Sequence, residues 1–299
     1  MSCPFRLAVI NDEITQDFGR ACEIASGSMG LSWIELRSMW NKNIVDLDST
    51  EVAEARRILE KYRLRVTDIA SPLFKVDWIG TAPSKDAPQP GNRKADKGAF
   101  HNDFAFEQQD ELLERCIELT KAFHTDRIRC FDFLRLDNQA PYREAINEKL
   151  RKAAVLCEKS NKILLLENEE SCNTRTSEES AAVLKAIPNK NFMLNWDPAN
   201  AASVGDKPFP QGYDLLPKDR IGHCHCKDVV RKPDGKYAWA PVGVGIIDWV
   251  GQFRALKRDG FNYAVSLETH WHGGGTPEAS SLKSMQDIRT ALDKARIAC

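Results

Sequence analysis

Eight short strand-like runs, recurring about every thirty residues and most of them followed by a helix-patterned stretch, constrain this chain more than any other feature. They lie at 6–10, 33–36, 64–70, 127–134, 162–166, 191–196, 221–228 and 262–267. Each is too short for a core helix and is bounded by turn or charged residues. Amphipathic stretches at 16–25, 52–59, 104–123, 142–159, 178–187, 248–258 and 277–295 read as helices. Thr15 is the candidate cap of the first and Ser49 or Thr50 of the second. Pro188 stops one helix, and Pro277 suits the first turn of the last. This alternation predicts an α/β chain, a (β/α)8 TIM barrel formed as one domain over 1–299. A doubly wound open sheet would call for a glycine fingerprint after the first strand, and LAVINDEI contains none. Residues 71–102 carry four prolines and three glycines and read as a long loop between strand three and its helix.

Composition narrows the partners. With 42 basic and 43 acidic side chains the formal net charge is -1, so no polyanion footprint is present and nucleic acid is not an expected partner. The opening MSCPFRLAVINDEI lacks a basic segment followed by a long apolar run, and no stretch approaches the roughly 18 apolar residues of a membrane span. A cytoplasmic protein without membrane association is expected. The nine cysteines are scattered, odd in number and without a CxxC pair, which predicts reduced and mostly buried thiols.

In a parallel barrel the carboxyl ends of the strands converge on one face, where polar residues are the default site candidates. That rule collects Glu13, Glu35, Glu167, Asp197, His225 and Glu268. The last four come from strands five to eight in succession. Alone, a strand-end carboxylate is more often a helix cap or salt-bridge partner, and Asp197 is also placed for a turn before Pro198. Together, two glutamates, an aspartate and an imidazole supply hard oxygen ligands and one nitrogen. Such a set suits one divalent ion, Mn²⁺, Mg²⁺, Zn²⁺ or Co²⁺.

The seventh run, IGHCHCKD, is informative because a two-residue period sends His223 and His225 to one face and Cys224 and Cys226 to the other. His225 is then the candidate ligand. His223, one step deeper, is either a packed core histidine or a substrate contact, and the two cysteines pack between sheet and helices. Lys227 shares the parity of His225 and is a candidate for substrate oxygens or for a salt bridge at the barrel mouth. Trp196 and Phe133 are placed to stack on a sugar ring or simply to pack. Arg37, Arg129 and Arg135 are candidates to neutralise a carboxylate or phosphate, and His101 and His270 to reach in from above. The run Gly273 to Gly275 before a helix can seat a phosphate, although three glycines alone are weak evidence. Glu167 and Glu268, at the ends of strands five and eight, form a candidate acid/base pair for moving a proton beside a carbonyl.

The segments LLLENE at 164–169, NWDPAN at 195–200, HCHCKD at 223–228 and SLETHW at 266–271 carry a resemblance over nearly the whole chain. It resembles the xylose isomerase-like TIM barrels, sugar phosphate isomerases and epimerases that include ketose 3-epimerases, hydroxypyruvate isomerase and inosose dehydratase. The resemblance implies Glu167, Asp197, His225 and Glu268 as metal ligands, with Glu167 and Glu268 as the base pair of an epimerase-like member. The ketose epimerases have a histidine three residues after the strand-six aspartate; here that position is Asn200, a candidate substrate contact. This departure weakens a ketose 3-epimerase assignment more than it weakens metal binding.

The expected activity is a divalent-metal-dependent isomerisation or epimerisation of a small keto sugar, polyol derivative or sugar phosphate, through a metal-stabilised enediolate, within carbohydrate metabolism. The alternatives are a dehydratase or lyase of an inosose-like or keto-sugar substrate, and a non-catalytic sugar-binding barrel with a structural metal. An endonuclease-like metal hydrolase is disfavoured, since six histidines are few for a multinuclear zinc site. Assembly into a homo-oligomer is left open.

Overall fold

The computed structural model describes residues 3–81, 84 and 104–299. The eight anticipated runs form β1 (Arg6–Val9), β2 (Trp33–Leu36), β5 (Arg65–Ile69), β6 (Arg127–Cys130), β7 (Ile163–Glu167), β8 (Phe192–Trp196), β9 (Ile221–Cys226) and β12 (Ala264–Leu267). They pair in the order β1-β12-β9-β8-β7-β6-β5-β2, every pairing parallel. A parallel bridge between Ile10 and Glu35 joins the two ends of that order. The result is a single-domain (β/α)8 barrel. Two antiparallel ribbons that the sequence pattern does not announce, β3 (Ser38–Met39) with β4 (Lys42–Asn43) and β10 (Asp228–Arg231) with β11 (Tyr237–Ala240), decorate its carboxyl end.

The helices around the barrel are α1 (Phe18–Glu23), α2 (Ser49–Tyr62), α3 (Gln109–Ala122), α4 (Arg143–Lys159), α5 (Ser177–Ala186), α6 (Pro198–Ser203), α7 (Trp249–Arg258) and α8 (Pro277–Ala295). Their starts correct two expectations. Asp17, not Thr15, caps α1 by accepting from Arg20 N at 3.0 Å. Asp48, not Ser49 or Thr50, caps α2, and Glu51 reaches back to Asp48 N at 2.9 Å to complete a capping box. In both cases a carboxylate just outside the first turn meets the free N–H groups better than a hydroxyl placed elsewhere.

Strand four is shorter than its apolar run suggests. Beyond Cys130 the amides of Phe131, Phe133 and Leu134 donate to the carbonyls of Leu73, Phe74 and Val76, so the start of the 71–102 segment lies along it and not in solvent. Phe74, Trp78, Phe106 and Phe133 then pack together with ring centroids 4.8–5.6 Å apart. Residues 82, 83 and 85–103, His101 among them, lie outside the described residues.

Two register shifts decide what faces the barrel interior. Between β8 and β9 the partners step from Leu194↔Ile221 to Asn195↔His223, leaving Gly222 as the extra residue. A β-carbon there would come within 2.8 Å of Leu165 and 3.0 Å of Met193, so any larger residue would have to displace both. Between β2 and β5 a second shift lies between Ile34 and Leu36, at Glu35. Cys224 and Cys226 are fully buried, in the same core cluster as Trp249 and Phe253 of α7.

The cysteine expectation needs one correction. Seven of the nine are free and buried, but Cys3 and Cys299 form a disulfide. Residues 296 apart meet because β1 pairs with β12, the last strand, whose connection runs directly into α8. No helix among the described residues is long and apolar enough to cross a membrane.

Candidate metal centre

The barrel interior is polar where branched apolar side chains usually fill it. In its lower layer Glu35 is bonded to both histidines of β9. Its Oε2 lies 3.1 Å from His223 Nε2 and its Oε1 lies 3.0 Å from His225 Nε2. His223 Nδ1 faces Asp68 Oδ1 at 3.6 Å, and all four side chains are fully buried. Burial pushes the Glu35 carboxyl up, but His225 and His223 outweigh it and hold Glu35 well below the ordinary range. Asp68 goes the other way, raised to about 6 by burial and by the charge of Glu35.

Above this layer, Glu167, Asp197, His225 and Glu268 each turn one ligand atom inward, all within 4.8 Å of one another. His225 Nδ1 is 3.3 Å from Glu167 Oε1, 3.2 Å from Glu268 Oε2 and 3.7 Å from Asp197 Oδ2. The carboxylate of Asp197 has two jobs. Its Oδ1 caps α6 by accepting from the amides of Ala199 and Asn200, while Oδ2 faces the cluster. The turn role and the cluster role therefore coexist in one side chain.

The donor set fits a divalent cation. Glu167 Oε2, Asp197 Oδ2 and His225 Nδ1 are buried without a hydrogen bond of good geometry, and what they face is charge: Arg129, Lys227 and one another. Three hard oxygens and an imidazole nitrogen match the ligand chemistry of such ions. In a ring that ligates a cation, Glu35 opposite Nε2 would favour the proton on that nitrogen and turn the Nδ1 lone pair towards the carboxylates. Burial pushes His225 down, but Glu35, Glu167 and Glu268 outweigh it and hold the imidazolium well above its usual value.

Protein cations surround the cluster. Lys227 Nζ lies 2.6 Å from Glu268 Oε2 and 2.9 Å from Asp197 Oδ2, and the side chain is fully enclosed. Burial pushes its pKa down, yet the two carboxylates keep it well above the ordinary lysine value. Arg37 reaches Glu268 Oε1 and Glu13 Oε1, each at 2.7 Å, and Asp12 at 3.0 Å. Arg129 reaches Glu167 Oε2 at 3.1 Å. Burial and the pull of His225 and Arg129 act oppositely on Glu167, and the pull wins, taking it to about 2. A cavity of about 140 Å³ opens over this group, lined among others by Arg37, Lys75, Arg129, Phe131, Glu167 and Glu268.

Several sequence candidates take other positions. Trp196 is fully buried on the outward face of β8 and donates from Nε1 to Gln252 Oε1 of α7 at 3.2 Å, so it does not stack in the cavity. The reason is parity: Asn195, bonded to His225, takes the inward place beside it. Arg135 is spent on Asn173 O and Glu179, away from the cavity lining, and Phe133 belongs to the aromatic cluster around Trp78. His223 and Lys227 lie beneath the cavity floor and are not part of its lining. Asn200 Nδ2 lies 3.3 Å from Glu167 Oε1 and 3.0 Å from Asn168 O, beside the cluster. His270, partly exposed, lines the cavity with Nε2 3.3 Å from Glu268. Gly274 is closed off by Ser280, whose Oγ accepts from its amide. Glu35 is the residue whose importance the strand-end rule could not separate from chance; the signal was its place on the second strand, one residue before Leu36.

The sequence pattern described as the Xylose isomerase-like TIM barrel matches residues 25–291. The chain belongs to that family. No curated protein matches it by sequence. Solved structures share the fold of this xylose isomerase-like barrel at low identity. The probable 3-DHS dehydratase AsbF of Bacillus anthracis is 17% identical, with a TM-score of 0.70, over 96% of this chain and 98% of that one. The IOLI protein, solved with a zinc atom, is 15% identical with a TM-score of 0.69 over 97% and 98%. D-Psicose 3-epimerase of Clostridium cellulolyticum H10, solved with D-tagatose, is 16% identical with a TM-score of 0.66 over 98% of both chains.

Proposed function

We propose that this barrel is a divalent-metal-dependent isomerase or epimerase of a small keto sugar, polyol derivative or sugar phosphate. The observation that carries the reading is the convergence of Glu167, Asp197, His225 and Glu268 in the buried barrel interior, with one ligand atom from each within 4.8 Å of the others. A relative of the same fold is an epimerase solved with a ketose, and another holds zinc, which supports the same reading. Those four residues are the proposed ligands.

A bound divalent ion would supply positive charge beside substrate carbonyl and hydroxyl oxygens, which acidifies the hydrogen on the hydroxyl-bearing carbon next to the carbonyl. The remaining work falls to the chain. Glu167, held ionised by His225 and Arg129, is the proton acceptor, and Glu268 is its counterpart across the cluster. Two carboxylates acting from opposite sides exchange the configuration of that carbon; one acting alone moves the proton to the neighbouring carbon. Arg37 and Arg129 keep both glutamates charged and oriented. Phe131, with Lys75 4.5 Å over its ring, presents an apolar wall with a cationic rim to the substrate.

Loss of a β-hydroxyl is the second reading. A solved structure of the same fold is a probable dehydratase, which supports it. The two readings separate in deuterated water. Keto sugars, inososes and their phosphates are incubated with Mn²⁺, and mass spectrometry follows label in substrate and product. Epimerisation or isomerisation places deuterium on carbon without loss of mass as water, whereas dehydration loses water. Glu167→Gln and Glu268→Gln are each expected to slow the labelling by about 10²-fold or more. Turnover without any carbon-bound label would remove the proton-abstraction reading.

A further inference from the structure

The amino ends of consecutive barrel strands, at the opposite end from Glu167 and Glu268, carry a row of cations. Arg6 opens β1, Arg65 opens β5, Arg127 opens β6 and Lys162 immediately precedes β7. Trp33 opens β2. The guanidinium carbons of Arg6 and Arg65 lie 4.7 and 4.0 Å from the centroid of its ring, so one indole holds two like charges. Among the described residues neither arginine has a carboxylate within ion-pair distance, and the nearby Asp126 is bonded to Arg127. Burial, with Arg127 and then Arg65 beside it, lowers the Arg6 guanidinium from its ordinary value. Cations that outnumber the carboxylates beside them gain from a bound negative charge.

Two adjoining cavities meet there, sharing Trp33, Val66 and His124. One, of about 450 Å³, is lined by Arg6, Lys121 and Lys162; the other, of about 200 Å³, by Leu59, Leu64 and Phe123. In the first, cations outnumber the single carboxylate, Asp126; the second is mostly apolar, with Arg56, Glu60 and Arg65 also in its lining. A bare inorganic anion uses only the first, and a hydrocarbon only the second. The geometry points to a second binding site at the amino end of the barrel, taking a small organic oxyanion with an apolar body. Its anionic group sits by Arg6, Lys121 and Lys162, and its apolar part in the Leu59, Leu64 and Phe123 pocket, whose rim carries Arg65 against the shared Trp33. Sulfonate, carboxylate and phosphate head groups share this chemistry.

The test uses the full chain and 1-anilinonaphthalene-8-sulfonate, an aromatic sulfonate whose fluorescence rises on transfer to an apolar pocket. Saturable binding of one probe per chain is expected, at least tenfold weaker for the uncharged N-phenyl-1-naphthylamine and weakened by salt. Arg65 and Lys121 are both exposed, so Arg65→Glu with Lys121→Glu, and Lys121→Glu alone, are expected to fold with near wild-type melting. The double variant should bind the sulfonate at least tenfold more weakly, and the single variant should fall between. Adding phenyl phosphate should displace the probe, while inorganic phosphate should do so far less well. Equal binding by wild type and double variant, or displacement by Mn²⁺ alone, would overturn the site. So would variants that lose only self-association in sedimentation, since the face would then join copies of the chain.

Discussion

Oε1 of Glu35 lies 3.0 Å from Nε2 of His225, on the side of the ring away from the carboxylates of Glu167 and Glu268. A metal-binding imidazole whose other nitrogen meets a buried carboxylate is fixed in both tautomer and orientation. Glu35→Gln keeps the side chain's shape and removes that charge. Affinity for Mn²⁺ in a chelator competition is expected to fall by about 10- to 100-fold while the fold is retained. An affinity equal to wild type would take Glu35 out of this role.

Lys227 compensates Asp197 and Glu268 inside the barrel. Lys227→Met removes the ammonium and leaves two buried carboxylates facing each other's charge. Breaking a buried pair in this way costs about 3–5 kcal/mol, so metal-free protein should melt well below wild type. A divalent ion meets the same carboxylates, and therefore the melting gain on adding Mn²⁺ should be larger in the variant than in wild type. Equal gains in the two proteins would mean that Lys227 and the ion do not act on the same carboxylates.

Direct ligation predicts a simpler loss. Metal analysis of protein prepared without chelator should find about one divalent ion per chain, the number the four-residue donor set accommodates. Glu268→Gln should lose it or hold it weakly. Unchanged metal content in that variant would refute the ligand assignment.

Trp196 serves the sheet-helix layer through its bond to Gln252. Trp196→Phe is expected to lower stability by roughly 1–3 kcal/mol, from the lost bond and the smaller ring, and to leave KM for any turned-over substrate unchanged. A rise in KM with stability intact would return Trp196 to the cavity.

The disulfide between Cys3 and Cys299 is checked by counting thiols. Unfolded without reductant, the chain should titrate seven thiols, and after reduction nine. In the native state Cys224 and Cys226, fully buried with pKa values pushed up by burial, should label slowly. Cys3→Ser is expected to cost about 2–4 kcal/mol by releasing the closed loop. Nine thiols without reductant would show that the pair is not formed.

By itself the sequence determined the eight-strand rhythm and, at the ends of strands five to eight, the four side chains that meet. An apolar run with a two-residue period leaves little freedom of register, so the residue just beyond it is carried to the barrel mouth. Only the tertiary structure decided which neighbours those four acquired. Glu35, Arg37 and Arg129 reach the cluster from strands two and four, across the barrel, and no local spacing encodes a contact between Arg37 and Glu268, 231 residues apart. The inward place went to Asn195 and the outward one to Trp196, and the extra residue at Gly222 set the register that turns both histidines inside. Closure of the barrel brought Cys3 beside Cys299. Each of these follows from pairing between distant strands, where the energy lies in burial and charge compensation and not in local propensity.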